Sequence, residues 1–427
     1  QGGSSVKNEH YNKGLELLKA GLLESAAEAF TEAIKRYPRD IYSYNKLAFI
    51  YKEQKKFKKA TKILEAGMKV CSGDLHSHYI LGNTHLDEGN YEDAMAEFKK
   101  AVDIDPKDVY AWNSLALTHK LVRQYDKAIQ CLEKAIELDE HDVYNYNSLA
   151  MTYFAKHEYE NAVRILEQTL RNSPQNAIII NSLGEVHLRL GELEKAREHF
   201  NKLIELQPDS KLGHLGLGYV EMEEGELRKA QEHLFDALKR DGDDWSIQAG
   251  LAEVYREMDD CPKAEEYYAK AADLNPLSAP IILGLGEMYE KQGYILLAWQ
   301  KYQEAIQRDE EYANAHFILG RLYARQRLEE KARQELQRAI ELDPRDTYPR
   351  NCLGHLDLVS GDYATAITTF RQVLEEDPAE EYALLHLGEA LIAAQRQDEA
   401  REPLDKLCKQ GSQPELVSKA KKLLDEM

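Results

Sequence analysis

Three histidines, His76, His78 and His85, stand close together in the chain, and imidazoles at such spacing can hold zinc. A second candidate is the run Gly213-His214-Leu215-Gly216-Leu217-Gly218, which has the glycine spacing of a phosphate-binding loop. Neither survives its context. The glycine run follows no strand, and its last glycine belongs to a column of small residues that recurs along the whole chain. His85 occupies a column that elsewhere holds a packing tyrosine, as do His119 and His187, so a core role is expected for it. Ser, His and Asp residues form no recognisable nucleophilic set. The cysteines Cys71, Cys131, Cys261, Cys352 and Cys408 are odd in number, far apart and without a CxxC spacing. They read as reduced, part-buried thiols, which fits a reducing, cytoplasmic compartment. The expectation is a chain with no catalytic residues, no metal and no cofactor, and therefore not an enzyme.

What positions these residues is a repeat. The sequence matches itself at an offset of 34 residues, and one column is alanine throughout, from Ala26, Ala60 and Ala94 to Ala366 and Ala400. A second column is always Gly or Ala, beginning Gly14, Ala48, Gly82 and Ala116. A third carries proline at Pro38, Pro106, Pro174, Pro208, Pro276, Pro344 and Pro378. Twelve units fit residues 7–414 without insertion or deletion. Inside each unit the apolar residues recur at helical steps on two successive segments. A polar turn separates them, often with glycine, as at Gly89 or Gly191, where a left-handed residue ends the first helix. The late proline stops the second helix. The small columns let two antiparallel helices, A and B, approach closely. Phe30, Phe98, Phe200 and Phe370 are expected to fill the space between neighbouring units. One helix pair cannot bury both of its faces, so the units must stack.

The residues Trp112-Asn113-Ser114-Leu115-Ala116 and Gly89-Asn90-Tyr91-Glu92-Asp93-Ala94 carry a pattern that resembles the tetratricopeptide repeat over nearly the whole chain. The resemblance implies an all-α fold, a right-handed superhelical α-solenoid of helix-turn-helix units making more than one full turn. Residues 1–6 are expected to be the remnant of an added tag, with the native N-terminus missing, and 415–427 a C-terminal capping helix. Pro403 inside the last helix B, and Arg123 and Arg327 at turn positions where glycine is usual, depart from the pattern locally.

The resemblance further implies that helix A lines a concave surface through its second, fifth, ninth and twelfth positions. The fifth position holds Asn45, Asn113, Asn147, Asn181 and Asn351, and the second holds Tyr42, Tyr110, Tyr144, Tyr348 and Tyr382. Leu117, Lys120, Met151, Phe154 and Leu188 occupy the ninth and twelfth. An asparagine amide offers both a donor and an acceptor to the backbone of an extended peptide. Tyrosine gives broad contact at low entropic cost, and methionine and phenylalanine accept apolar side chains. Tyr42, Asn45, Tyr110, Asn113, Leu117, Tyr144, Asn147, Met151, Phe154, Asn181 and Leu188 are thus the candidate partner-binding residues. The alternative is that Asn and Tyr cap and pack between adjacent A helices. The family's carboxylate clamp for chaperone tails is absent: Asn83 fits one of its slots, but Tyr79, Ser114, Ser148 and Thr152 occupy others.

Charge narrows the partners. A formal net charge of −20 argues against general nucleic-acid binding. No apolar run is long enough to span a membrane. Residues 41–74 carry eight lysines and three acids, and Lys52, Lys55, Lys56, Lys58, Lys59 and Lys62 form a cluster that suits an acidic partner. Residues 211–312 carry 11 basic and 22 acidic residues, and Glu253, Glu257, Glu287 and Glu290 there suit a basic segment in repeats 7–9. The doubled small residues around Gly216, Gly250 and Gly284 either loosen helix A or admit a close neighbour, and flexing is expected there. The functional expectation is a scaffold or adaptor that grips an extended protein segment. A substrate-recruiting arm of a larger enzyme, such as a glycosyltransferase, and a self-assembling scaffold are the alternatives.

Overall fold

The computed structural model describes residues 9–70 and 74–427, so the expected tag remnant and Cys71 lie outside the described residues. It contains twenty-five α-helices and, among the described residues, no strand. The chain divides into two compact units, Gln1–Gly216 and Leu217–Met427. Within each, helices alternate in the A/B order read from the repeat, and each A helix packs on the B helix that follows it. Examples are α3 (Ile41–Glu53) with α4 (Phe57–Val70) in the first unit, and α19 (Ala313–Arg325) with α20 (Glu329–Leu342) in the second.

The helices start and stop for identifiable reasons. Asp74, Asp108 and Asp142 cap α5 (Leu75–Glu88), α7 (Val109–Leu121) and α9 (Val143–Ala155), each accepting a backbone N–H of the first turn. Asn176 does the same for α11 (Ala177–Arg189). Between A and B, one residue per repeat turns left-handed. It is glycine at Gly21, Gly89, Gly191, Gly225, Gly293 and Gly361, but Lys55, Arg123, His157, Asp259, Arg327 and Gln395 adopt φ of 55–63° at the equivalent positions. The turn is therefore kept at Arg123 and Arg327, where a side chain pays roughly 1–2 kcal/mol that glycine would not. Pro403 is likewise absorbed: α24 continues from Gln397 to Gln410.

Packing explains the small columns more sharply than the sequence did. A Cβ at Gly14, Gly82, Gly184 or Gly354 would come within 2.6–2.8 Å of the ring of Phe30, Phe98, Phe200 or Phe370, the B-helix residue of the same repeat. The rings lie on the glycine of their own unit and, as expected, also meet the next one: Phe30 packs with Leu47 and Ile50, and Phe98 with Ala111 and Leu115. Two rings also reach a glycine of the next repeat. Phe200 also presses on Gly216, and Tyr268, whose own repeat offers Ala252, presses on Gly284. These extra glycines admit a ring, so they mark close approach and give no structural support to flexing. Gly250 similarly faces Leu234 and Tyr219. The last helix, α25 (Pro414–Glu426), packs on α23 (Glu381–Ala393) and α24, burying Leu416 and Ala420 and half-burying Leu423 and Leu424.

Candidate functional site

Adjacent A helices lie side by side, so residues at one helical position form a row across them. In the first unit the tyrosines Tyr42, Tyr110 and Tyr144 are 63–78% exposed, far more than a ring needs for packing. Leu117 is 48% exposed beside them. Met151, Phe154 and Leu188 are half-buried, and Phe154 stands edge-on to Tyr159.

The asparagines divide. Asn45 is buried and both ends of its amide are engaged on the next A helix: Nδ2 donates to Asp74 at 2.9 Å and Oδ1 accepts from the Ser77 hydroxyl at 2.7 Å. It clamps α3 to α5 and lies buried out of a partner's reach, which corrects its place among the candidates. Asn113 donates to Asn145 at 2.7 Å, and its Oδ1 has no hydrogen-bond partner. Asn147 accepts from Ser182 at 2.8 Å, and Asn181 donates to Glu185 at 2.7 Å. Each of these three spends one end of its amide inside the protein. Burial pushes the Glu185 carboxyl above its ordinary range, against the pull of Asn181.

The acidic rows of the second unit are answered by the chain's own arginines. Arg256 lies 3.2 Å from Glu257 and 3.7 Å from Glu287. Glu290 accepts from Tyr302 at 2.7 Å and pairs with Arg325 at 2.5 Å and Arg321 at 3.9 Å. Burial pushes the carboxyls of Glu253 and Glu287 upward, with Arg256 opposing it in each case. A basic segment expected at repeats 7–9 would have to displace these pairs. In the first unit, Lys52 is taken by Asp87 at 2.7 Å, whereas Lys55, Lys58 and Lys62 stay exposed.

One of the three clustered histidines finds a local partner. His78 sits 2.7 Å from Glu97, His76 is exposed, and His85 is half-buried. Among the described residues no group of three or more His, Cys, Asp or Glu is arranged to hold a metal, and no helix is long and apolar enough to cross a membrane.

A concave feature of about 620 Å³ opens in the second unit between α19, α21 (Tyr348–Ser360) and α23. Phe317, Tyr348, Leu356, Val359 and Tyr382 give it apolar walls. His355 and His386 stand edge to face at 5.0 Å, and burial, then His386, holds the His355 imidazole below its ordinary value. Arg321, Arg325 and Arg327 line it, while no carboxylate does. Asn351 lines it too, 8% exposed, with neither Nδ2 nor Oδ1 hydrogen-bonded. The sequence reading had Tyr348, Asn351 and Tyr382 in its rows but did not select them. A signal was available. Asn45 and Asn113 each bond a residue 32 positions later, Ser77 and Asn145, whereas the residue 32 after Asn351 is Ala383, which has no polar side chain.

Comparison with known proteins fits this architecture. One family model, described as tetratricopeptide repeat, matches residues 11–66, 147–211, 215–279 and 283–347. Others of that description match 358–424 and 109–142, and one described as TPR repeat matches 82–121. No curated protein matches the sequence. Among solved structures, the chain is similar to one of the APC/C hetero-tetramer Cut9–Hcn1 at 13% identity and a TM-score of 0.57, covering 98% of this chain and 97% of that one. A tetratricopeptide repeat protein from Parabacteroides merdae ATCC 43184 matches at 17% identity and a TM-score of 0.50, covering 58% of this chain and 97% of that one. Yeast Tom70 matches at 14% identity and a TM-score of 0.48, covering 98% and 94%. At such identities the likeness to the first two is one of fold.

Proposed function

Because the chain belongs to the tetratricopeptide repeat family, we propose that it is a non-enzymatic scaffold that grips an extended segment of a partner protein along the exposed face of its A helices. Residues 7–414 act as twelve repeats in this reading, and 415–427 as their cap. The observation that carries it is the row of exposed tyrosines, Tyr42, Tyr110 and Tyr144, of which the last two share their helices with asparagines that keep one amide end unspent. An extended strand needs donors and acceptors at intervals along its backbone, and Asn113, Asn147 and Asn181 supply them on three successive A helices. The tyrosines and Leu117 add apolar contact, and Met151, Phe154 and Leu188 continue it toward the ends of their helices. The exposed lysines of repeat 2 suit an acidic stretch of the partner.

The test is affinity capture with the wild-type chain and with the triple variant Asn113→Ala, Asn147→Ala, Asn181→Ala, matched for thermal midpoint. The expected result is a partner retained by the first and lost by the second. Equal retention moves the site away from these residues. Loss that tracks a fall in the melting temperature returns the asparagines to a purely structural role.

A further inference from the structure

We propose that the cavity between α19, α21 and α23 is a subsite, within and resting on the peptide-gripping function above, for a bulky apolar side chain of a partner segment with a carboxylate close by in sequence. Three observations converge on that chemistry. First, Asn351 is more than nine-tenths buried in the cavity lining, with both amide atoms unpartnered. A buried amide left without hydrogen bonds is costly, and the N–H and C=O of a peptide backbone can satisfy its acceptor and donor together. Second, the walls are apolar and aromatic, Phe317 and Tyr348 facing each other at 6.4 Å between ring centres and Tyr382 stacking on His386 at 6.3 Å. Such walls take an aromatic or leucine-sized side chain.

Third, the charge of the lining is one-sided. In a protein of formal net charge −20 the cavity is lined by Arg321, Arg325 and Arg327 and by no acid. Arg325 is committed to Glu290, and the same carboxylate draws the far end of Arg321 at 3.9 Å. Arg327 is exposed and has no side-chain partner, and the Nε of Arg321 is buried without one. Guanidinium donors in this state select a carboxylate. The occupant is therefore an extended peptide carrying an aromatic or leucine residue next to Asp or Glu, its backbone held by Asn351 and its carboxylate by Arg327.

The experiment selects peptides from a random displayed library on the full chain, then measures binding of the labelled winners to variants. Expected winners pair Phe, Tyr, Trp or Leu with a neighbouring Asp or Glu. They bind Asn351→Leu at least about tenfold more weakly, and Arg327→Glu several-fold more weakly. They also slow alkylation of Cys352, whose thiol lines the same cavity. Asn351→Leu should melt no lower than wild type, since it removes an unsatisfied polar group and leaves none behind. Should that variant fail to fold, Ala383→Ser tests the same point, because the introduced hydroxyl stands where Ser77 stands for Asn45 and would engage the amide. Winners that are basic, or that bind Asn351→Leu and Ala383→Ser as tightly as wild type, overturn the inference. If their binding falls instead with Asn113→Ala and Asn147→Ala, the subsite is lost and the wider gripping function stands. Failure of any peptide to enrich removes both.

Discussion

Asn45 and Asn351 are the same residue at the same position of an A helix, one in each compact unit, and their amides have opposite fates. Asn45 meets Asp74 and Ser77 and becomes part of the frame. Asn351 faces Ala383's place in the next helix and an apolar cavity, and meets nothing. Asn113, Asn147 and Asn181 stand between these extremes, each with one end used. A recurring polar column is thus no uniform ladder. Whether a given amide holds the protein together or waits for a partner is set by the few polar side chains within its reach.

The largest effects test whether the two units share one frame beneath this difference. Gly184→Leu in the first and Gly354→Leu in the second each drive a side chain into a phenylalanine ring, and both should lose about 3 kcal/mol in denaturant melts. A loss in one and not the other would break the equivalence on which the comparison rests. Next, Asn45→Ala should cost about 2 kcal/mol, because Asp74 and Ser77 lose a buried partner, with no change in partner capture. Asn351→Ala should cost almost nothing, and equal costs for the two would erase the distinction. Arg123→Gly, at a left-handed turn, should gain about 1 kcal/mol in the same assay. It would show that the substituted turns are strained rather than rebuilt.

The smallest expected effect is on the acid side. Burial would raise the Asp74 carboxyl, but hydrogen bonds from Ser77 and Asn45 bring it below its ordinary value of 3.8. A depressed folded value means that its contribution is complete above 3.8 and is lost as pH falls below that, through the folded value. Asn45→Ala should therefore flatten the acid limb of a stability profile, read from urea midpoints. An unchanged limb would leave the clamp without electrostatic content.

Much of the fold was readable because the repeat is local and redundant. Alanine and glycine columns at a fixed spacing, apolar residues at helical steps and prolines after every few helices leave little choice of secondary structure. The same arithmetic located the turns, and even Arg123 and Arg327 obey it. The candidate site was legible in part. Tyr42, Tyr110 and Tyr144 emerge exposed as their column implied, while Asn45 emerges buried from the same kind of reading. The glycines at Gly216 and Gly284 were ambiguous in sequence because the ring that needs them sits on a different helix.

The sequence by itself determined the repeat and its two-helix unit, since these follow from periodicity along one chain. Tertiary structure alone decided which polar groups are spent. A hydrogen bond between residues 32 apart, a ring pressed into a neighbour's glycine, or an arginine closing on Glu290 depends on distances between helices. Asn351 has the composition of its column and the surroundings of a binding site, and only the packing of α19, α21 and α23 distinguishes the two.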